Sequence, residues 1–257
     1  MDNGTRFREI PVAARGTPED EWQPWLESTR FLPVPLAECD RLVVVAPHPD
    51  DEVLGVGALM AAAAAAGIPV VVVAVTDGAA SHPDSPTLSP NALAAARIAE
   101  SNQATALLGV GEPLRLGIPD GGVSAHEHAL TTGLVDVLTA TSGEGERVWV
   151  LATWRGDGHP DHEATGRAAA AACSITGHRL IEYPVWMWHW ARPADPAVPW
   201  NRIRVLTPAA EILARKRRAV DEFRTQILPL SEDPRDAAIL PPWVLARLMR
   251  TTEWVLW

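Results

Sequence analysis

The chain has 257 residues, 47% of them apolar, and sets 22 Lys and Arg against 32 Asp and Glu for a formal charge of −10. Apolar content of that order excludes a disordered chain, and the length suits one large α/β domain. The acidic balance argues against a nucleic-acid partner, because phosphate contacts need clustered cations. Two cysteines, Cys39 and Cys173, lack metal-ligand spacing and make no disulfide framework, which fits a reducing cytoplasm. The opening MDNGTRFREIPV lacks the basic start and apolar core of a signal peptide, and the run Leu59 to Ala66 is too short to cross a membrane. A soluble cytoplasmic enzyme is expected, with neither nucleic acid nor membrane as partner; no residue pattern sets an oligomeric state.

In chain order, residues 1–40 are rich in Pro, Trp and charge and predict an arm packed on a domain that runs over 41–257. Leu42 to Ala46 is a continuous, largely β-branched apolar run, the pattern of a strand buried on both faces. Val53 to Ala66 has helical composition and stops at Gly67, which can take the left-handed cap. Val70 to Val75 predicts a second buried strand, and Thr76 to Pro90 a turn-rich loop. A helix over Asn91 to Leu108, closed by Gly109, leads to a short strand, Leu114 to Leu116. The loop Ile118 to Val123 carries Pro119-Asp120-Gly121-Gly122. A helix over His126 to Ala140, a strand over Val148 to Thr153, a helix over His162 to Cys173 and a strand over Arg179 to Tyr183 complete a core of 41–183.

Strands that alternate with helices, several of them continuous apolar runs, predict a Rossmann-like α/β fold, a mostly parallel sheet with helices on both faces in a single domain. The remainder, 184–257, is expected to be helical, with helices over Pro208 to Ile227 and Pro241 to Arg250. The basic run Arg215 to Arg218 reads as a solvated face of the first of these. Gly55 and Gly57 fall inside a helix rather than in a phosphate loop after a strand, so a nucleotide site is not indicated.

Two clusters carry the chemistry. His48-Pro49-Asp50-Asp51-Glu52 follows the first strand, and Gly158-His159-Pro160-Asp161-His162-Glu163 follows the strand VWVLATW. The carboxyl ends of strands are where open α/β sheets build their sites. Two such clusters point to one metal site made from two loops. Catalytic zinc takes three protein ligands from His and carboxylates and keeps a position for water. Adjacent carboxylates in a sharp turn diverge, so one can ligate while its neighbour serves as a base. An acidic helix start and ordinary surface histidines would be the plainer account, but that explains neither the His-Pro step nor the match between clusters.

HPDDE and GHPDH resemble the PIG-L/LmbE-like family of zinc-dependent N-deacetylases. The resemblance continues through Thr76-Asp77-Gly78, the Arg97…Glu100 pair and Leu116-Gly117-Ile118-Pro119-Asp120-Gly121, and spans 41–172. It implies His48, Asp51 and His162 as Zn2+ ligands and Asp50 as the general base. It further implies that His159 acts as a cation stabilising the oxyanion or as the acid for the leaving amine, with Asp161 orienting His159 or another imidazole. Fe2+ could take the same ligands. The implied reaction is hydrolysis of an N-acyl group, most often acetyl, from an N-acetylglucosamine-type amino sugar or its glycoside. A thiol-sugar conjugate amidase and a non-catalytic zinc or sugar-binding module remain alternatives, the intact Asp50 standing against the latter. Some members carry a tyrosine where this chain has Asp157, which removes that oxyanion contact here.

Three residues are candidate substrate contacts. Arg97 is one, or else an i,i+3 partner of Glu100. Asp120 is another, or else a turn residue before Gly121. Trp154 would border the cleft. Eleven tryptophans against one tyrosine is a marked skew. Trp186, Trp188 and Trp190 alternate, which would set three indoles on one face of an extended segment, either as an aromatic wall over the site or as packing on the sheet edge. His189 is expected at a packing or rim position, and His82 in solvent.

Overall fold

Depth of burial explains why the strands read as unbroken apolar runs. The structure, a computed structural model, describes residues 10–11 and 14–257; the remainder of the expected N-terminal arm, 1–9 and 12–13, lies outside the described residues. In chain order the elements are α1 (Glu19–Ser28), β1 (Leu32–Pro33), β2 (Arg41–Ala46), α2 (Asp51–Ala65), β3 (Val70–Ala74), α3 (Pro90–Leu108), β4 (Leu114–Arg115), α4 (Glu127–Thr141), β5 (Val148–Thr153) and α5 (Pro160–Thr176). There follow β6 (Arg179–Tyr183), α6 (Met187–Trp190), β7 (Ile203–Leu206), α7 (Ala210–Val220), α8 (Arg224–Ile227), α9 (Pro242–Leu248) and β8 (Glu253–Leu256).

Among the described residues the strands form one eight-stranded sheet in the order β1-β7-β8-β6-β5-β2-β3-β4, parallel except where β8 pairs with β6 and β7. Alternate residues of β2 enter opposite cores. Leu42 and Val44 pack with α2 and α7 on one face, and Val43 and Val45 pack with α4 and α5 on the other. Each such fully buried aliphatic side chain contributes about 1.5–3 kcal/mol. The chain runs from β2 outward to β3 and β4, then returns to β5 on the other side of β2. The strand order thus reverses between β2 and β5, which lie side by side with Val45 opposite Ala152. A crevice opens at such a switch point, and the two motif clusters follow these two strands.

Local signals explain the helix ends. The Ser89 hydroxyl accepts the Ala92 N–H at 3.3 Å ahead of Pro90, and Gly109 (φ 80°) closes α3 in the left-handed conformation. Pro160 likewise opens α5 behind His159 as its N-cap.

Several expectations need correction. The stretch 184–257 is not purely helical, since it supplies β7 and β8 to the sheet. The expected helix over 208–227 is two helices, α7 and α8, separated by a turn at 221–223. Within the basic run, Lys216 is 2% exposed and paired with Glu253, so it is not on the solvated face. Trp186, Trp188 and Trp190 do not alternate on an extended segment: Trp186 precedes α6, and Trp188 and Trp190 lie inside it. His82 is 3% exposed, not solvated, with Nε2 3.1 Å from the Ala237 carbonyl. Residues 14–40 supply α1 and the edge strand β1, which pairs Leu32 with Arg204.

Candidate metal centre

The turn after β2 is built around an unusual backbone. Asp50 has φ 150°, a conformation that L-residues rarely adopt and that costs on the order of 1–3 kcal/mol. It is fixed from several sides. The Asp50 N–H donates to Glu52 Oε2 at 3.1 Å, its carbonyl accepts from Val53 and Leu54, and Arg97 donates to the Pro49 carbonyl at 2.9 Å. Arg97 also donates to Asp50 Oδ2 at 3.2 Å and to the Gly78 carbonyl at 3.2 Å. A side chain at Gly78 would collide with that guanidinium, and Gly78 has φ 69°, so the position requires glycine twice over.

Three ligand-type atoms converge beside Asp50. Asp51 Oδ2 lies 3.1 Å from His48 Nδ1 and 3.2 Å from His162 Nε2. Ligand atoms bound at about 2.0–2.1 Å around a tetrahedral ion stand about 3.3 Å apart, so the spacing suits a metal. His162 Nε2 is buried and meets no hydrogen-bonding geometry among the described residues, its nearest charged neighbour being the Asp51 oxygen at 3.2 Å. A buried, unsatisfied nitrogen beside a carboxylate and a second imidazole is the donor set that a divalent cation accepts. The residues present could therefore hold a metal.

Carboxylates stand behind both imidazoles. His162 Nδ1 is 2.8 Å from Asp157 Oδ2, while His48 Nε2 is 3.2 Å from Asp120 Oδ1 and 3.4 Å from Asp161 Oδ2. His48, Asp120 and Asp161 form a second cluster that could in principle hold a metal. These two carboxylates are better matched to orienting His48. Asp161 also accepts the N–H groups of Gly121 and Val123, and Asp120 that of Ala80. Carboxylates placed in this way fix the ring and strengthen the opposite nitrogen as a ligand.

The electrostatics follow from burial in a charged cluster. Burial opposes charge on His48, but Asp120, Asp161 and Asp51 outweigh it and hold its pKa well above the ordinary value. Burial likewise opposes charge on His162, which Asp51 and Asp157 nonetheless lift to about 9. Asp51 is held far below the carboxylate range by these two imidazoles despite its burial. Burial pushes Asp50 up to about 7 against the pull of Arg97, and Glu52 up to about 8. His159 is driven well below its ordinary value, first by burial and then by the charges of His162 and His48.

The other sequence-predicted residues divide. His48, Asp50, Asp51, Arg97, Asp120 and His159 line one cavity of about 340 Å³, and His162 and Asp161 sit beneath it. Arg97 does not pair with Glu100, whose carboxylate instead takes the N–H and hydroxyl of Thr225. Asp161 directs its carboxylate to His48, not to His159; the His159 Nδ1 accepts the Asp161 N–H at 3.2 Å. Trp154 does not border the cavity. It is 7% exposed and stacks on Trp190 at 6.3 Å, and the indole at the cavity is Trp186.

Ser81 and Gln226 were not singled out by sequence, and Asp157 was noted only for the tyrosine it replaces. Asp157 is wholly buried and also accepts the N–H groups of Val185, Trp186 and Met187, each at 2.9 Å. Its place two residues before the first His of the second cluster was the only available signal. A larger hollow of about 650 Å³ lies against α1, α9 and β8, and none of the sequence-predicted site residues lines it.

Comparison with known proteins places the chain in a family. Residues 43–173 match the family described as PIG-L: GlcNAc-PI de-N-acetylase, and the chain belongs to that family. It is 31% identical over 196 residues to a 1D-myo-inositol 2-acetamido-2-deoxy-alpha-D-glucopyranoside deacetylase of Kineococcus radiotolerans, covering 64% of this chain and 50% of that protein. The chain spans about half the length of the curated relatives it matches. Among solved structures it is similar to the A40926 pseudoaglycone deacetylase Dbv21, with TM-score 0.60, 25% identity, and 77% and 87% of the two chains covered. It is also similar to the conserved protein TT1542 from Thermus thermophilus, with TM-score 0.54, 28% identity, and 74% and 80% covered.

Proposed function

We propose that the chain is a metal-dependent amide hydrolase that removes an N-acyl group, foremost acetyl, from an N-acetylglucosamine-type amino sugar or its glycoside. The observation that carries this reading is the convergence of His48, Asp51 and His162 beside a buried, arginine-held Asp50 at the floor of one cavity, which His48, Asp50 and Asp51 line. His48, Asp51 and His162 would hold the metal, and Zn2+ is the ion that best suits two imidazoles and one carboxylate, with Fe2+ as the competitor. When bound, such an ion polarises an amide carbonyl and lowers the pKa of a water to about 7.

The remaining chemistry belongs to the chain. Asp50 accepts the proton of the attacking water on a carboxylate oxygen, and Arg97 keeps that carboxylate ionised and aimed. A proton held with a pKa near 7 can be passed on, so Asp50 can also hand it to the leaving nitrogen. His159 accepts a backbone N–H at Nδ1, so its neutral ring carries the proton at Nε2. From there it can donate to the amide oxygen as negative charge develops, the role of an oxyanion-hole donor.

The cavity suits a sugar. Ser81, Asp120 and Gln226 offer polar groups on its wall, while Leu54, Val185 and Trp186 give an apolar one. Its volume falls at the lower end of the range for small-molecule sites. Among the described residues no helix is long and apolar enough to cross a membrane. The free thiols of Cys39 and Cys173 suit a reducing compartment such as the cytoplasm.

The test is metal content after chelator-free purification, measured with acetate release from N-acetylglucosamine and its glycosides. One divalent metal per chain with acetate release is expected. Bound metal without acetate release from any such substrate overturns the deacetylase reading.

A further inference from the structure

The helix that carries the metal-binding turn is broken, and the break is filled by charge. Within α2, Val56 departs from helical geometry with φ −138° and ψ 23°. In an unbroken helix the Ala58 N–H would bond the Leu54 carbonyl, four residues back. Here a buried ion pair is inserted into that rung. The Leu54 carbonyl accepts from Lys216 Nζ at 2.8 Å, Lys216 Nζ meets Glu253 Oε1 at 2.6 Å, and the same oxygen accepts the Ala58 N–H at 2.8 Å. The second oxygen of Glu253 accepts the Leu59 N–H at 2.8 Å. The two side chains are 2% and 3% exposed. Groups inserted into the hydrogen-bond ladder are a recognised cause of sharp kinks.

The short segment before the break bears Asp51 and Glu52, with Asp50 as its N-cap, and Leu54 of the same segment lines the cavity. It also sits close on Tyr183: a side chain at Gly55 would strike the Tyr183 ring, whose hydroxyl donates to the Val45 carbonyl at 2.9 Å. The direction of that turn is thus set from below by Tyr183 and from behind by the ion pair. Lys216 belongs to α7 and Glu253 to β8, both beyond residue 173, where the family match ends.

We infer that Lys216 and Glu253 are positioning residues for the metal centre, holding α2 open at Leu54–Ala58 so that Asp51 meets His48 and His162. The inference rests on the metal reading proposed above. It makes metal affinity a property of the C-terminal layer as well as of the two motif loops. A device of this kind explains why a buried ion pair is kept, since apolar replacement of such pairs is often neutral or stabilising.

The test is the double variant Lys216→Met with Glu253→Leu, which removes both charges and lets the Leu54 to Ala58 rung close. The double variant is expected to stay folded by circular dichroism while its Zn2+ dissociation constant, from chelator competition, rises by about 10–100-fold, the range for loss of supporting groups around a metal. The absorption bands of the Co2+-substituted protein are expected to change with it. Wild-type zinc affinity and Co2+ bands in the double variant overturn the inference. Should that variant not fold, Lys216→Arg and Lys216→Met are compared: retention by arginine and loss by methionine are expected, and equal affinity overturns the inference. Leu138→Ala, in the core on the opposite face of the sheet, is the control for general destabilisation and is expected to leave zinc affinity unchanged. Zinc binding needs no amide hydrolysis, so a wild-type chain that binds zinc but releases no acetate refutes the deacetylase reading and leaves this comparison intact.

Discussion

The carboxylate of Asp157 lies 2.8 Å from Nδ1 of His162, and its oxygens also accept the N–H groups of Val185, Trp186 and Met187. One residue therefore aims the imidazole proposed as a metal ligand and anchors the start of the tryptophan-bearing helix α6, just before which Trp186 lines the cavity. A charged acceptor that serves four donors in a dry site leaves all four unsatisfied when it is lost.

Asp157→Ala should accordingly weaken metal binding by about 10–100-fold. A chelator-competition titration checks this, and intrinsic fluorescence should report the loosened indoles in the same sample. Unchanged affinity would mean that His162 is oriented by other contacts.

Arg97→Met removes the cation that favours the Asp50 carboxylate. With burial pushing Asp50 up and Arg97 opposing it, the loss raises the pKa further, so less of the base is ionised at neutral pH. The acid limb of kcat/KM should move to higher pH, and turnover at pH 7 should fall, while the metal is retained. Since a bound divalent cation stabilises the same carboxylate, the wild-type limb should lie at or below about pH 7. An acid limb that does not move in the variant would remove Arg97 from this role.

How much of this was legible depended on whether the determining contacts were local. β2 and β5 could be read as buried strands because 42–46 and 148–152 are apolar throughout, and the two dense His and Asp clusters after them as a candidate metal site, from which the family resemblance picked out His48, Asp51 and His162. Asp157 could not: its partners Val185 to Met187 lie 28–30 residues away, and a lone Asp in a loop is ordinary turn chemistry. Lys216 was hidden in the same way, since its partner Glu253 lies 37 residues on in a short strand. The indoles at 186, 188 and 190 misled because a period of two suggests a strand. What imposes a helical turn instead is the Asp157 carboxylate gathering three successive N–H groups. Leu32–Pro33 is too short to give any periodic signal, yet it pairs at the sheet edge.

Among the described residues before β2, Trp22, Val34 and Cys39 belong to the core. Trp22 is fully buried, donates from Nε1 to the Trp188 carbonyl at 3.0 Å and meets the Trp188 ring edge-on at 5.0 Å. Trp22→Ala should cost about 3–5 kcal/mol of stability in a urea titration, the range for a buried aromatic truncated to a methyl. A loss well below that would show the arm to be a loose covering.

Burial pushes the Cys39 thiol up to about 11 and the Cys173 thiol up to about 12. Both should resist iodoacetamide in the folded chain at pH 8 and react once urea is added. The folded state holds these protons more tightly than the unfolded one. Their effect on stability is therefore absent below about pH 9, and stability falls as pH rises from there through about 11–12. Rapid labelling of either thiol in the native state would contradict its burial.

In the proposed reading Asp50 is the base and His48, Asp51 and His162 are the metal ligands. Asp50→Asn tests it most directly, with bound metal and acetate release measured on the same preparation. Full metal occupancy with turnover lower by about 10²–10⁴-fold is expected. Wild-type turnover in this variant, or loss of the metal along with the activity, would contradict it.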